Sequence, residues 1–113
     1  MRKESLITLK VTLDENKVPE KLRWDASDNQ VNNSEAKAVL FSVWDPAEQN
    51  TLRVDLWTKD LTVDEMKQFV HQNIMLMADT LQKATGEDKM AETMRDFGHY
   101  YAEKLGLLPP KNE

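Results

Sequence analysis

His71 and His99 are the first side chains to weigh for chemistry, since a neutral imidazole can ligate a metal or move a proton near neutral pH. They fall in separate helical stretches, and neither belongs to a ligand-spaced set such as H-E-x-x-H. Both therefore read as ordinary surface or half-buried histidines. The chain has no cysteine, which excludes thiolate catalysis and a disulfide framework. Three glycines leave no glycine-rich phosphate loop, and Ser5, Ser27, Ser34 and Ser42 lack the context of a nucleophile elbow. Acidic residues near helix starts are explained by the helix dipole before any acid/base pair is invoked. The expectation is a protein without catalytic residues, metal or cofactor.

The residues that stand out instead are suited to contact with another protein. Val39, Phe41 and Val43 alternate with Leu40, Ser42 and Trp44, and Leu52, Val54 and Leu56 alternate with Arg53, Asp55 and Trp57. Because successive side chains in a strand point to opposite faces, Leu40, Ser42, Trp44, Arg53, Asp55 and Trp57 share one side of a sheet. One register opposes Trp44 to Arg53, Ser42 to Asp55 and Leu40 to Trp57. The other opposes Ser42 to Arg53 and Leu40 to Asp55. Arg23 and Asp25 from an earlier strand are candidate additions. Trp and Arg are frequent interface hot spots, so one reading is a partner-binding face. In the other, the tryptophans shield the outer side of a sheet and Arg53 stacks on one ring for about 0.5 to 1 kcal/mol.

The elements that must hold this face follow from hydropathy. Ile7, Leu9, Val11 and Leu13 alternate with polar residues up to the turn Asp14-Glu15-Asn16-Lys17. Leu22, Trp24 and Ala26 form a second strand, antiparallel to the first, with Pro19 at its beginning where a missing N–H costs least. Asp28 to Glu35 reads as a mobile polar connection. Strands over 36–44 and 52–57 follow, joined by a turn through Asp45-Pro46-Ala47-Glu48-Gln49-Asn50. Thr62 three residues before Glu65 is a capping box, with Leu61 and Met66 placed as a hydrophobic staple.

Met66, Phe69, Val70, Ile74, Met77 and Leu81 recur at helical spacing over 63–84, and Gly86 suits a left-handed cap. A second helix over about 88–105 carries Met90, Met94, Phe97, Tyr101 and Leu105, with Gly98 beside that stripe to admit a close neighbour. Met75 and Leu76 lie beyond the edge of the first helix's stripe, which hints at another subunit there. The pattern predicts an α+β fold, a four-stranded antiparallel meander followed by two helices packed on one face in a two-layer sandwich. The sheet's core side is then Ile7, Leu9, Val11, Leu13, Leu22, Trp24, Val39, Phe41, Val43, Leu52, Val54 and Leu56.

At 113 residues the chain fits one domain, with residues 1–4 and 109–113 as flexible tails. Its formal net charge of -5, with both signs mixed along the chain, argues against nucleic-acid binding. No apolar run approaches the ~20 residues that span a bilayer. No secretory h-region follows Met1, so a cytoplasmic location is expected.

The ordered combination Val18-Pro19-Glu20-Lys21 with Trp24, then Ser42-Val43-Trp44-Asp45, then Arg53-Val54-Asp55-Leu56-Trp57-Thr58-Lys59-Asp60, then Met94-Arg95-Asp96-Phe97 and Tyr101-Ala102-Glu103-Lys104-Leu105 resembles the gliding-motility-associated protein GldC family. The resemblance covers nearly the whole chain. It implies a small soluble accessory protein of the bacterial gliding-motility apparatus, without known enzymatic activity. Its implied partner is a protein of the motility or associated secretion machinery. The resemblance carries no catalytic or ligand residues. The layout of strands followed by two helices is also similar to that of the export chaperone SecB, an architectural likeness that does not establish function.

Overall fold

In the computed structural model, which describes residues 3–107, the first two alternating segments form an antiparallel hairpin of β1 (Ile7–Leu13) and β2 (Pro19–Ala26). Leu9 faces Trp24 and Val11 faces Leu22. Asp14 builds the turn between them: its carboxylate accepts the backbone N–H groups of Asn16 at 2.8 Å and Val18 at 3.0 Å, while Lys17 takes a left-handed φ of 63°. Pro19 stands at the first position of β2, as its missing N–H requires. Of the expected tails, residues 1, 2 and 109–113 lie outside the described residues.

The polar connection expected at 28–35 is a strand. β3 (Val31–Ala36) pairs antiparallel with β2, with Leu22 facing Ala36, Trp24 facing Ser34 and Ala26 facing Val31. Its two asparagines and single β-branched residue gave no strand signal. Asp25 supplies the missing reason: its carboxylate accepts the N–H of Asn33 at 2.7 Å and the Thr8 hydroxyl at 3.2 Å, anchoring the bulge where Asn33 turns to a φ of 51°.

Lys37 separates β3 from β4 (Ala38–Asp45), which pairs antiparallel with β5 (Asn50–Trp57). The described residues thus hold five strands in two sheets, ordered β1-β2-β3 and β4-β5, and not one four-stranded meander. The α+β class stands. Thr58 donates its N–H to the Lys37 carbonyl at 2.9 Å, continuing the β4–β5 ladder by one step. Lys59 Nζ then reaches Asp14 Oδ2 at 2.6 Å and ties the end of β5 to the β1–β2 turn.

Residues up to Thr62 form one compact unit and those from Val63 another. The second is a helical hairpin. α1 (Val63–Thr85) begins one residue past Thr62, as the capping-box spacing predicts, with Asp64 and Glu65 in its first turn. Gly86 ends it at a φ of +76°, and α2 (Asp88–Lys104) follows directly. Small residues make the seam: Ala78 on α1 and Ala91, Gly98 and Ala102 on α2 are buried.

The expected stripe of Met90, Met94 and Phe97 is therefore displaced by about one residue round α2, and Met90 and Phe97 stand exposed. The reason is proximity. A Cβ on Gly98 would clash with Met75 Sδ, so the Met75 side chain of α1 fills the space that a larger residue at 98 would need. Arg95 fastens the seam through Asp79 at 2.8 Å and Gln82 at 2.6 Å, and Tyr101 stacks on His71 with its hydroxyl 3.3 Å from the Lys67 carbonyl.

Two outcomes follow from these contacts. Gly98→Val should cost about 1 to 3 kcal/mol by overpacking the seam, read as a lower thermal midpoint. In a Met75→Ala background, Gly98→Ala should instead stabilise by about 1 kcal/mol through helix propensity. The Lys59 ammonium, then the Val18 N–H, hold the Asp14 carboxyl below its ordinary value of 3.8, and Asp14 holds Lys59 above 10.5. A depressed carboxylate stabilises the fold above its unfolded value, and that stability is lost as pH falls through the folded value. Asp14→Asn retains an acceptor for the turn, so its melting-point deficit should be constant from about pH 6 to 9 and close in acid below about pH 3.8.

Candidate docking surface

The register of β4 on β5 is the one that opposes Ser42 to Arg53 and Leu40 to Asp55, with Trp44 facing Thr51 and Ala38 facing Trp57. A four-residue connection enforces it, since Asp45 faces Asn50 and Gln49 closes the turn at a φ of 51°. Leu40, Trp44, Arg53, Asp55 and Trp57 accordingly share one face, as the pleat predicts. The tryptophans do not cluster. Six residues of strand separate their positions, roughly 20 Å at the usual rise.

Trp44 is 64% exposed and Trp57 53%. Between them Arg53 Nε meets Asp55 Oδ2 at 3.2 Å, with the arginine side chain 68% exposed. Among the described residues, the aromatic–cation contact is that of Lys104 over Tyr100, so the guanidinium is committed to the carboxylate and not to a ring. An exposed pair of this kind contributes about 0 to 1 kcal/mol. Its consequence is orientation: the cation and anion are held side by side on an open strand.

Arg23 and Asp25 do not join this face. They lie on β2 in the other sheet, where Arg23 faces Lys10 and Glu35, and Asp25 is used internally to hold Thr8 and Asn33. The residues missed are on the reverse side of the β4–β5 hairpin. Phe41, Val43, Leu52 and Val54, expected as core, are all exposed, Phe41 at 50% and Val54 at 49%. A signal for this existed in the fourth strand, whose two faces are both apolar, Val39, Phe41 and Val43 against Leu40 and Trp44. An amphipathic strand with a single wet side would not carry both.

Other places offer less. A shallow hollow is lined by Glu20, Lys21, Glu35, Ala36, Lys37, Thr58 and Asp60, charges of both signs without a nucleophile beside a base. The Thr58 hydroxyl at its wall is buried without a hydrogen-bond partner among the described residues. His71 Nε2 is likewise buried and unpartnered, packed on Tyr101 within the helical hairpin. Among the described residues no cluster of three or more His, Cys, Asp or Glu is placed to hold a metal ion, and no helix is long and apolar enough to cross a membrane.

Fold and surface together define a small α+β protein whose distinctive chemistry is an exposed aromatic and charged strand face. Residues 19–107 match the family described as gliding motility-associated protein GldC-like, and the chain belongs to that family. The family's name associates it with gliding motility. No curated protein and no solved structure matches the chain.

Proposed function

We propose that this chain is a non-enzymatic cytoplasmic adaptor of the gliding-motility machinery. It docks a protein component of that machinery on the β4–β5 face bearing Leu40, Trp44, Arg53, Asp55 and Trp57. The observation that carries the reading is the placement of two widely exposed tryptophans at opposite ends of a face with a fixed ion pair between them. Large aromatic rings give contact area at low entropic cost, and a paired Arg and Asp give orientation, the mixture found at interface hot spots. Membership in a motility-associated family supports a machine component as the partner.

A second reading has an observation in its favour. Apolar residues are exposed on both sides of the hairpin, which suits a secretion chaperone of SecB-like layout that holds unfolded clients. The two differ in what they capture, a defined folded partner or unfolded chains of many sequences.

Crosslinking in cells followed by identification of the captured proteins tests both. With Trp44→Ala and Trp57→Ala together, the adaptor reading expects a melting point within about 2 °C of the parent, as for surface substitutions, and loss of one discrete crosslinked partner. A large fall in melting point would assign the tryptophans to structure and remove the docking face. Capture of a spread of unfolded proteins, with a tetramer in sedimentation, would favour the chaperone.

A further inference from the structure

The free edge of β5 carries a second kind of complementarity, toward itself. In the β4–β5 ladder Thr58 donates directly to the residue it faces, Lys37, so this position is a hydrogen-bonded pair. Pairs of that type alternate along an antiparallel ladder. Even-numbered residues of β5 therefore turn their N–H and C=O toward β4, and Thr51, Arg53, Asp55 and Trp57 turn theirs outward. β5 pairs only with β4 among the described residues, which leaves the outward row without a ladder partner, although the Thr51 N–H at its start is accepted by Asn50 Oδ1 at 2.9 Å. Such an edge is a template for another strand.

We propose that two copies of this chain associate by antiparallel pairing of β5 with β5 about a two-fold axis at Val54. The sequence around that residue is symmetric in shape and antisymmetric in charge, Leu52-Arg53-Val54-Asp55-Leu56. Pairing Val54 with Val54 of a second copy sets Leu52 opposite Leu56 and Arg53 opposite Asp55, twice over. The outward-facing Arg53 and Asp55 then form hydrogen-bonded pairs, each exchanging both backbone bonds, while Val54 meets Val54 at the closer non-hydrogen-bonded position.

Neighbouring registers fail. An axis at Arg53 opposes two arginines, and an axis at Asp55 opposes two aspartates, arrangements that cost free energy where the reference register gains it. Any register that opposes even to odd positions sets Leu52, Val54 and Leu56 against the polar face and is excluded by the pleat. The intrachain Arg53–Asp55 pair at 3.2 Å already holds both groups on the correct face. In the dimer each guanidinium lies between its own Asp55 and that of the second copy.

The free edge of β4 is the competing site for self-association. A two-fold axis at Phe41 would oppose Val39 to Val43, which is apolar in the same sense, but its opposite charges, Lys37 against Asp45, lie four residues from the axis at the ends of the strand. Opposite charges directly beside the axis, Arg53 against Asp55, therefore favour β5. The result is a four-stranded sheet, β4-β5-β5-β4, in place of a two-stranded one, and a two-stranded ladder is the least stable sheet by itself. The proposal shares Arg53 and Asp55 with the docking face but is tested separately from it, because edge pairing is read as self-association of the purified chain and leaves the tryptophan side chains unaltered.

Sedimentation equilibrium of the whole chain tests it, with circular dichroism to establish that each variant is folded. The parent should be a dimer. Arg53→Asp and Asp55→Arg each set like charges opposite one another and should weaken the dimer on the order of tenfold. The double variant R53D/D55R restores every opposition and should restore the dimer. An equimolar mixture of R53D with D55R should form a heterodimer more tightly than either forms with itself, a result no misfolding can produce. A monomeric parent overturns the proposal. A dimer indifferent to these charge changes, or one not rescued by the double variant, overturns it in favour of the β4 edge or another surface.

Discussion

In a strand, the direction of each side chain and the direction of its backbone bonds alternate together, and β4 and β5 are each other's only ladder partners among the described residues. That coupling governs the surface chemistry of the whole first unit. The Asp45–Asn50 connection fixes one register, and every later property is a matter of parity. Even residues of β5 give an apolar face and backbone bonds to β4. Odd residues give the Trp57, Arg53 and Asp55 face and backbone groups toward the open edge. A slip of one residue would reverse both assignments at once.

The same coupling explains why so little of the sheet is interior. Among the described residues Leu22 is the largest fully buried side chain, and the remaining buried apolar residues are alanines, together with Gly98 in the helical seam. Alternation at Ile7, Val11, Phe41, Val43, Leu52 and Val54 predicts one core face only on the premise that a single sheet has one dry side. Two sheets, one of them a hairpin, do not obey that premise. Alternation establishes that a segment is a strand and which residues share a side. It does not establish that something lies on that side.

Legibility in the sequence follows the range of the interaction that decides each feature. Thr62 with Glu65, Gly86, and Pro19 act within a few residues, and the start and end of α1 and the entry to β2 fall where those residues place them. The pleat likewise put Leu40, Trp44, Arg53, Asp55 and Trp57 together. β3 was invisible because its reason is remote: the Asp25 carboxylate binding Asn33, eight residues away, overrides the poor strand preference of the asparagines. Gly98 was legible as a point of close approach. The accompanying shift of the seam from Met90 and Phe97 to Ala91 and Ala102 was not, because bulk in a helical stripe signals burial only until a facing side chain takes the space, as Met75 does at Gly98.

The two surfaces of β5 bear on each other in a definite way. Partner docking acts through side chains of the tryptophan face, and self-pairing acts through the backbone edge at right angles to it. Edge pairing at Val54 would place Arg53 and Asp55 at the middle of a sheet twice as wide and set Trp44 and Trp57 of each copy on a common side. A monomeric face joins its aromatic residues over one hairpin, with an ion pair worth little in water. A doubled face carries four tryptophans and a network of four charges, and networks of charges contribute where isolated surface pairs do not. The exposed ion pair, weak as a stabiliser of the single chain, thus has its physical rationale in specifying register between strands. That is the function opposite charges serve when they lie across a ladder.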